Sequence, residues 1–70
     1  MVREHLAGHV EPRLLSVQAA ARALGISEAA CWQLVDQGNG PLRSLKVGRR
    51  RLIPRQWLDE YVAELVTEAS

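Results

Sequence analysis

Between Ser16 and Gly38 the apolar positions recur every three to four residues in two successive runs. In SVQAAARALG, Val17, Ala20, Ala21 and Leu24 fall on one side of a helix. In SEAACWQLVDQG, Ala30, Cys31, Leu34 and Val35 do the same. Each run opens on a serine, Ser16 or Ser27, whose hydroxyl can accept from a free first-turn amide. Each closes on a glycine, Gly25 or Gly38, suited to the left-handed turn that stops a helix. Only Gly25 and Ile26 lie between the first helix and the second cap, so the two helices meet in a sharp bend.

After Gly38 the period changes. Asn39, Gly40 and Pro41 are turn formers that carry the chain around a corner, with Leu42 as an anchor beneath them. Ser44 to Ile53 then alternates as a β-hairpin. Leu45 and Val47 flank Lys46, Gly48 and Arg49 form the tip, and Arg51 to Ile53 return with Ile53 inward and Leu52 on the more exposed face. Pro54 ends the strand and is suited to open the next helix. From Arg55 to about Ala69 the helical period resumes, with Trp57, Leu58, Tyr61, Val62, Leu65, Val66 and Ala69 on one broad face and Asp59, Glu60, Glu64 and Glu68 on the other. That face is either an ordinary core stripe or in part a contact with another copy. At the start, residues 1–12 show no sustained period and are expected to form a flexible arm, and Leu14 and Leu15 an extended lead-in to the domain of residues 13–70.

The order helix, helix, hairpin, helix predicts a mainly α fold with a small β-hairpin, and the tight bend has the spacing of a helix-turn-helix. Composition agrees: 70 residues make one domain, 47% hydrophobic residues exclude a wholly disordered chain, and 4% aromatics leave an aliphatic, alanine-rich core. The net charge of +1 conceals a polarised chain. By Lys and Arg against Asp and Glu, residues 1–12 carry −1, 13–42 carry 0, 43–55 carry +6 and 56–70 carry −4. Such a distribution directs one face toward phosphates and another away from them. With the helix pair, it points to a winged helix-turn-helix that binds double-stranded DNA.

The candidate contacts are of two kinds. Arg49, Arg50 and Arg51 offer permanently charged forks for phosphate or a narrow minor groove, supported by Arg22, Arg43 and Lys46. On the second helix the outward positions are Glu28, Ala29, Trp32, Gln33, Asp36 and Gln37, none of them basic, and of these all but Asp36 are candidate DNA contacts, together with Ser27 at the cap. Gln33 can pair with an adenine edge, Glu28 can accept from cytosine, and Ala29 can touch a thymine methyl. Trp32 either lies along the sugar-phosphate wall or donates its indole N–H to a phosphate, or else packs against the hairpin or the last helix. Affinity is therefore expected from the hairpin rather than from this helix.

Catalytic chemistry finds little support. There is no nucleophile with its base, no carboxylate pair and no complete metal set, so neither an enzyme nor a cofactor is expected. His5 and His9 have the spacing of two ligands on a helix, but nothing completes a site. Cys31, the single cysteine, is expected to act as a small apolar residue. With no signal peptide or membrane span, a cytoplasmic protein is expected.

LLSVQAAARALGIS, the Gly38 stop, LKVGRRRLIP and the following WLDEYV together resemble the excisionase and MerR-type winged-helix family, from about Leu14 to Leu65. The resemblance implies that Ser27 to Gln37 is the recognition helix and that Lys46, Gly48, Arg49, Arg50 and Arg51 belong to the wing. Glu28 stands where a basic or polar DNA-facing residue is usual, and Ala19 where relatives often carry a glutamate. A short chain of this family looks most like an excisionase, a recombination directionality factor. Such proteins bind adjacent sites cooperatively, bend DNA and contact an integrase, here with Trp57, Tyr61 and Leu65 as a self-contact. A small MerR-like transcription regulator and a protein-interaction module that does not bind DNA are the competing expectations.

Overall fold

The computed structural model describes residues 13–69. The expected arm over residues 1–12, and with it the His5/His9 pair, lies outside the described residues. The elements are β1 (Leu14–Ser16), α1 (Val17–Leu24), α2 (Glu28–Val35), a 3-10 turn (Asp36–Gly38), β2 (Leu45–Val47), β3 (Arg50–Pro54) and α3 (Arg55–Ala69). This is a winged helix-turn-helix: three helices and a small antiparallel sheet.

Both caps form. Ser16 Oγ accepts from the Ala19 amide at 3.0 Å, and Ser27 Oγ from the Ala30 amide at 3.1 Å. Gly25, at φ 77°, donates to the Arg22 carbonyl at 3.1 Å while Ile26 donates to that of Ala21 at 3.0 Å, a pairing that satisfies the last carbonyls of α1 and turns the chain within two residues.

The sheet is larger than the expected hairpin. Its order is β1-β3-β2, and the lead-in is a third strand, with Leu14, Leu15 and Ser16 opposite Pro54, Ile53 and Leu52. Three residues are too few to announce a strand by alternation. The strand that feeds α3 is thus clamped on both sides. Pro54 ends β3 rather than opening α3, and because it has no N–H, the Arg55 amide extends the pairing by donating to the Arg13 carbonyl at 2.7 Å. On the other edge, Leu45, Lys46 and Val47 face Leu52, Arg51 and Arg50. The connecting turn holds only Gly48 and Arg49, with a positive φ of 62° at the glycine, as two-residue hairpins with glycine first require.

The core consists of Leu15, Val17, Ala20, Ala21, Cys31, Val35, Leu42, Ile53 and Leu58. Small residues on the inner face of α1 let α2 approach closely, and Ile53 on the central strand closes the core, with Leu42 anchoring it from beneath as expected. Leu52, on the opposite face of β3, is half-buried.

Two expectations need correction. First, α2 does not run to Gln37 and stop at Gly38; it ends at Val35, and Asp36 (φ 46°) and Gln37 (φ 53°) already occupy the left-handed region. Each such residue costs about 1–2 kcal/mol, so surrounding bonds must hold them there. The loop supplies these bonds: the Gly40 amide donates to the Val35 carbonyl at 3.0 Å and the Leu42 amide to that of Leu34 at 3.2 Å. A Cβ on Gly40 would lie 1.9 Å from the Leu34 carbonyl oxygen, so the loop can pass beneath the helix only with glycine there. Second, the α3 stripe is not a core stripe along its whole length. Leu58 is its one fully buried residue, Trp57 and Tyr61 are half-buried, and Val62, Leu65 and Val66 are 39%, 44% and 62% exposed.

Candidate nucleic-acid interface

Strand register decides which cations meet. Lys46 and Arg51 are direct cross-strand partners, on the same face of the sheet as the buried Leu15 and Ile53 and hence on the side of the helices. Like charges placed directly opposite each other destabilise a sheet, so this pair costs stability unless an anion lies between them. Arg51 is partly restrained: its Nη1 donates to Ser44 Oγ at 3.1 Å, and the same nitrogen lies 3.2 Å from where a Cβ on Gly38 would be. The guanidinium therefore ties β3 to the residue that precedes β2, and it lies close to Gly38. Arg51 is half-buried, unlike the exposed Arg49 and Arg50.

Two open clefts adjoin these cations. One, of about 270 Å³, lies between the start of α1, the first turns of α2 and the wing, lined by Gln18, Glu28, Trp32 and the three consecutive arginines. The other, of about 290 Å³, lies between Trp32, Gln37, Lys46, Arg49 and Arg51. Trp32, Arg49 and Arg51 border both, so the two clefts adjoin along α2 and the wing and are together called the trough. Trp32 is 43% exposed. Its indole N–H donates to Glu28 Oε2 at 3.3 Å, one helical turn back. It therefore borders the wing without being covered by it.

Not every expected contact shares the trough. Ala29 and Gln33 are exposed on α2, and Arg22 is exposed in the last turn of α1, but none of them lines either cleft. Ser27 is exposed and its hydroxyl is engaged as the cap of α2. Gln37 does line the trough, from the turn rather than from the helix. Arg43 is elsewhere: its guanidinium lies 4.2 Å from the Trp57 ring centroid and borders a separate groove with Glu60, Tyr61 and Glu64. A cation over an indole face at an exposed site contributes about 0.5–1 kcal/mol, so Arg43 helps to hold the start of α3. In the other direction, Gln18 lines the trough and was not expected there. Its place, two residues after the Ser16 cap on the first helix of a helix-turn-helix, was the available signal, because that helix crosses the DNA backbone in such folds.

Cys31 is fully buried in the core. Burial, and then the negative charge of Glu28, push its thiol above the usual value, so it packs as a protonated, apolar group. Among the described residues no group of three or more His, Cys, Asp or Glu is placed to hold a metal ion, and no helix is long and apolar enough to cross a membrane.

A winged helix-turn-helix with a cationic trough between its second helix and its wing is the class that fold and site define. The chain belongs to the helix-turn-helix domain family, which matches residues 14–65. It is similar to a Saccharopolyspora erythraea protein named "Probable excisionase", with 39% identity over 57 residues, covering 81% of this chain and 56% of that protein. The chain thus spans little more than half the length of the curated relative it matches. No solved structure matches the chain.

Proposed function

We propose that this protein is a DNA-binding architectural factor of excisionase type. The observation that carries the reading is the trough itself, with Lys46, Arg49, Arg50 and Arg51 gathered beside the exposed face of α2. In this reading α2 enters the major groove while the wing grips phosphates or the adjacent minor groove. The cations supply affinity independent of sequence, and the exposed side chains of α2 supply base contacts. Copies on neighbouring sites touch through the apolar face of α3, around Trp57, Tyr61 and Leu65, and their combined phosphate contacts bend the duplex. The product is a nucleoprotein arrangement that an integrase recognises, and no covalent step is performed by this chain. The "Probable excisionase" name of the similar protein supports this choice over a lone promoter binder.

The test is a mobility shift on a duplex carrying tandem copies of a site selected from a random pool. The reading expects a cooperative ladder, anomalous migration when the site is moved along the fragment, and a log–log salt slope of about −4 to −5 for about five phosphates. Replacing Arg49 and Arg50 together by Ala is expected to reduce that slope by about 2. An isolated palindromic site with no ladder would indicate a transcription regulator instead. Absence of duplex binding even in dilute salt would indicate a protein-interaction module.

A further inference from the structure

The trough that gathers four cations contains one acid. Glu28 occupies the first position of α2, after the Ser27 cap, and lines the same cleft as Arg49, Arg50 and Arg51. An acid in a first turn complements the helix dipole, and this accounts for a carboxylate near the cap. It does not account for where the carboxylate is held. Among the described residues Glu28 forms no ion pair with the arginines beside it. It takes a hydrogen bond from the Trp32 indole N–H, one turn further along the exposed face of the helix. The indole thereby fixes a full negative charge at the leading end of the helix, in a cleft otherwise suited to anions. For a surface that only grips phosphate, this placement is a penalty.

The penalty becomes selectivity if the carboxylate meets a donor. A carboxylate accepts and cannot donate, so it is repelled by the N7 and O6 of guanine and by the O4 of thymine. Adenine presents an amino group, but with the N7 acceptor beside it. Cytosine offers its N4 amino group as its one polar group in the major groove, and a residue at the N-terminal end of a recognition helix is where base edges are met.

We propose that Glu28, positioned by the indole of Trp32, is the specificity-determining residue of this interface, selecting a C·G pair through the cytosine amino group and lowering affinity for duplexes without it. The inference rests on the DNA-binding reading above and adds to it which base is read and by what. Trp32 is the positioning residue and Glu28 the reader.

The experiment is selection from a random duplex pool at one fixed salt concentration, using the wild-type chain, Glu28→Gln and Trp32→Phe, with circular dichroism to establish that each variant is folded. The wild type is expected to fix a cytosine at one position. Glu28→Gln is expected to keep the rest of the site while that position changes to adenine or becomes degenerate, with discrimination there falling about 5-fold to 100-fold. Its affinity for unselected duplex should rise, because a negative charge has left the trough. Trp32→Phe retains a ring but not the N–H, and should weaken preference at that same position and at no other. The inference is overturned if Glu28→Gln selects the same base at every position, or if it loses affinity equally for all duplexes, as a purely structural residue would. A wild-type chain that binds no duplex at all would overturn the DNA-binding reading and this inference together, a result distinct from either of those.

Discussion

Helices α1 and α3 both carry apolar stripes, but only one of them is spent on the core. α1 buries Val17, Ala20 and Ala21 between the sheet and α2, whereas the 15-residue α3 buries Leu58 alone and leaves Val62, Leu65 and Val66 exposed. The difference lies in what surrounds each helix. β1 runs directly into α1 and pairs with β3, and α2 returns against α1 through a two-residue bend, so α1 is enclosed on several sides. α3 is fed by β3 and secured near its start by Leu58, Trp57 and the Arg43 cation above that ring. Beyond Tyr61 its side chains are exposed. Stability is therefore concentrated in the body, and α3 presents a surface.

The comparison is broken most severely at Gly40. An alanine there would place its Cβ 1.9 Å from the Leu34 carbonyl oxygen, a backbone atom at the end of α2 that has no rotamer by which to move away. The loop would have to lift, releasing the Leu42 and Gly40 amides from their carbonyls and withdrawing Leu42 from the core. Gly40→Ala is expected to cost more than about 3 kcal/mol. A domain of this size has only about 4–10 kcal/mol in total, so urea denaturation should show a transition shifted far toward zero denaturant or already lost. Next comes Ile53→Ala, which removes a fully buried side chain from the central strand and should cost about 2–4 kcal/mol, read from the same denaturation curves.

Gly40 also shows where the sequence ceases to be legible. The caps at Ser16, Ser27 and Gly25 follow local rules and were readable from spacing alone, and so was the tip at Gly48 and Arg49. The end of α2 was not. Gly38 is a reasonable local stop, but burial of Leu42 and the return of the loop under the helix hold Asp36 and Gln37 in a left-handed turn two residues earlier, and no local pattern records that. The site divides in the same way. Run by run, the charge pattern announced a cationic wing, but how each arginine is held depends on register and on nonlocal partners: Arg51 lines the trough while bonded to Ser44, whereas Arg43 lies away from it over Trp57. The α3 stripe was legible as a helix face, but periodicity says nothing of what covers a face.

The smallest expected effect on stability bears most directly on the contrast between the two helices. Val62 and Leu65 are 39% and 44% exposed, so replacing both by Ser removes little buried area, and the folding free energy should change by no more than about 0.5 kcal/mol per site. For a domain of this length that is a shift in Tm of about 2–4 °C per site. If α3 is instead a core helix that happens to be partly uncovered, the pair of substitutions should cost as much as Ile53→Ala. Assembly offers a second, independent reading of the same variant. Should copies meet through this face, the double variant will bind a single DNA site with unchanged affinity but fill tandem sites one at a time, so the cooperative ladder disappears while the first shifted band remains. A variant that melts near wild type and retains the full ladder would place the contact between copies elsewhere on the surface.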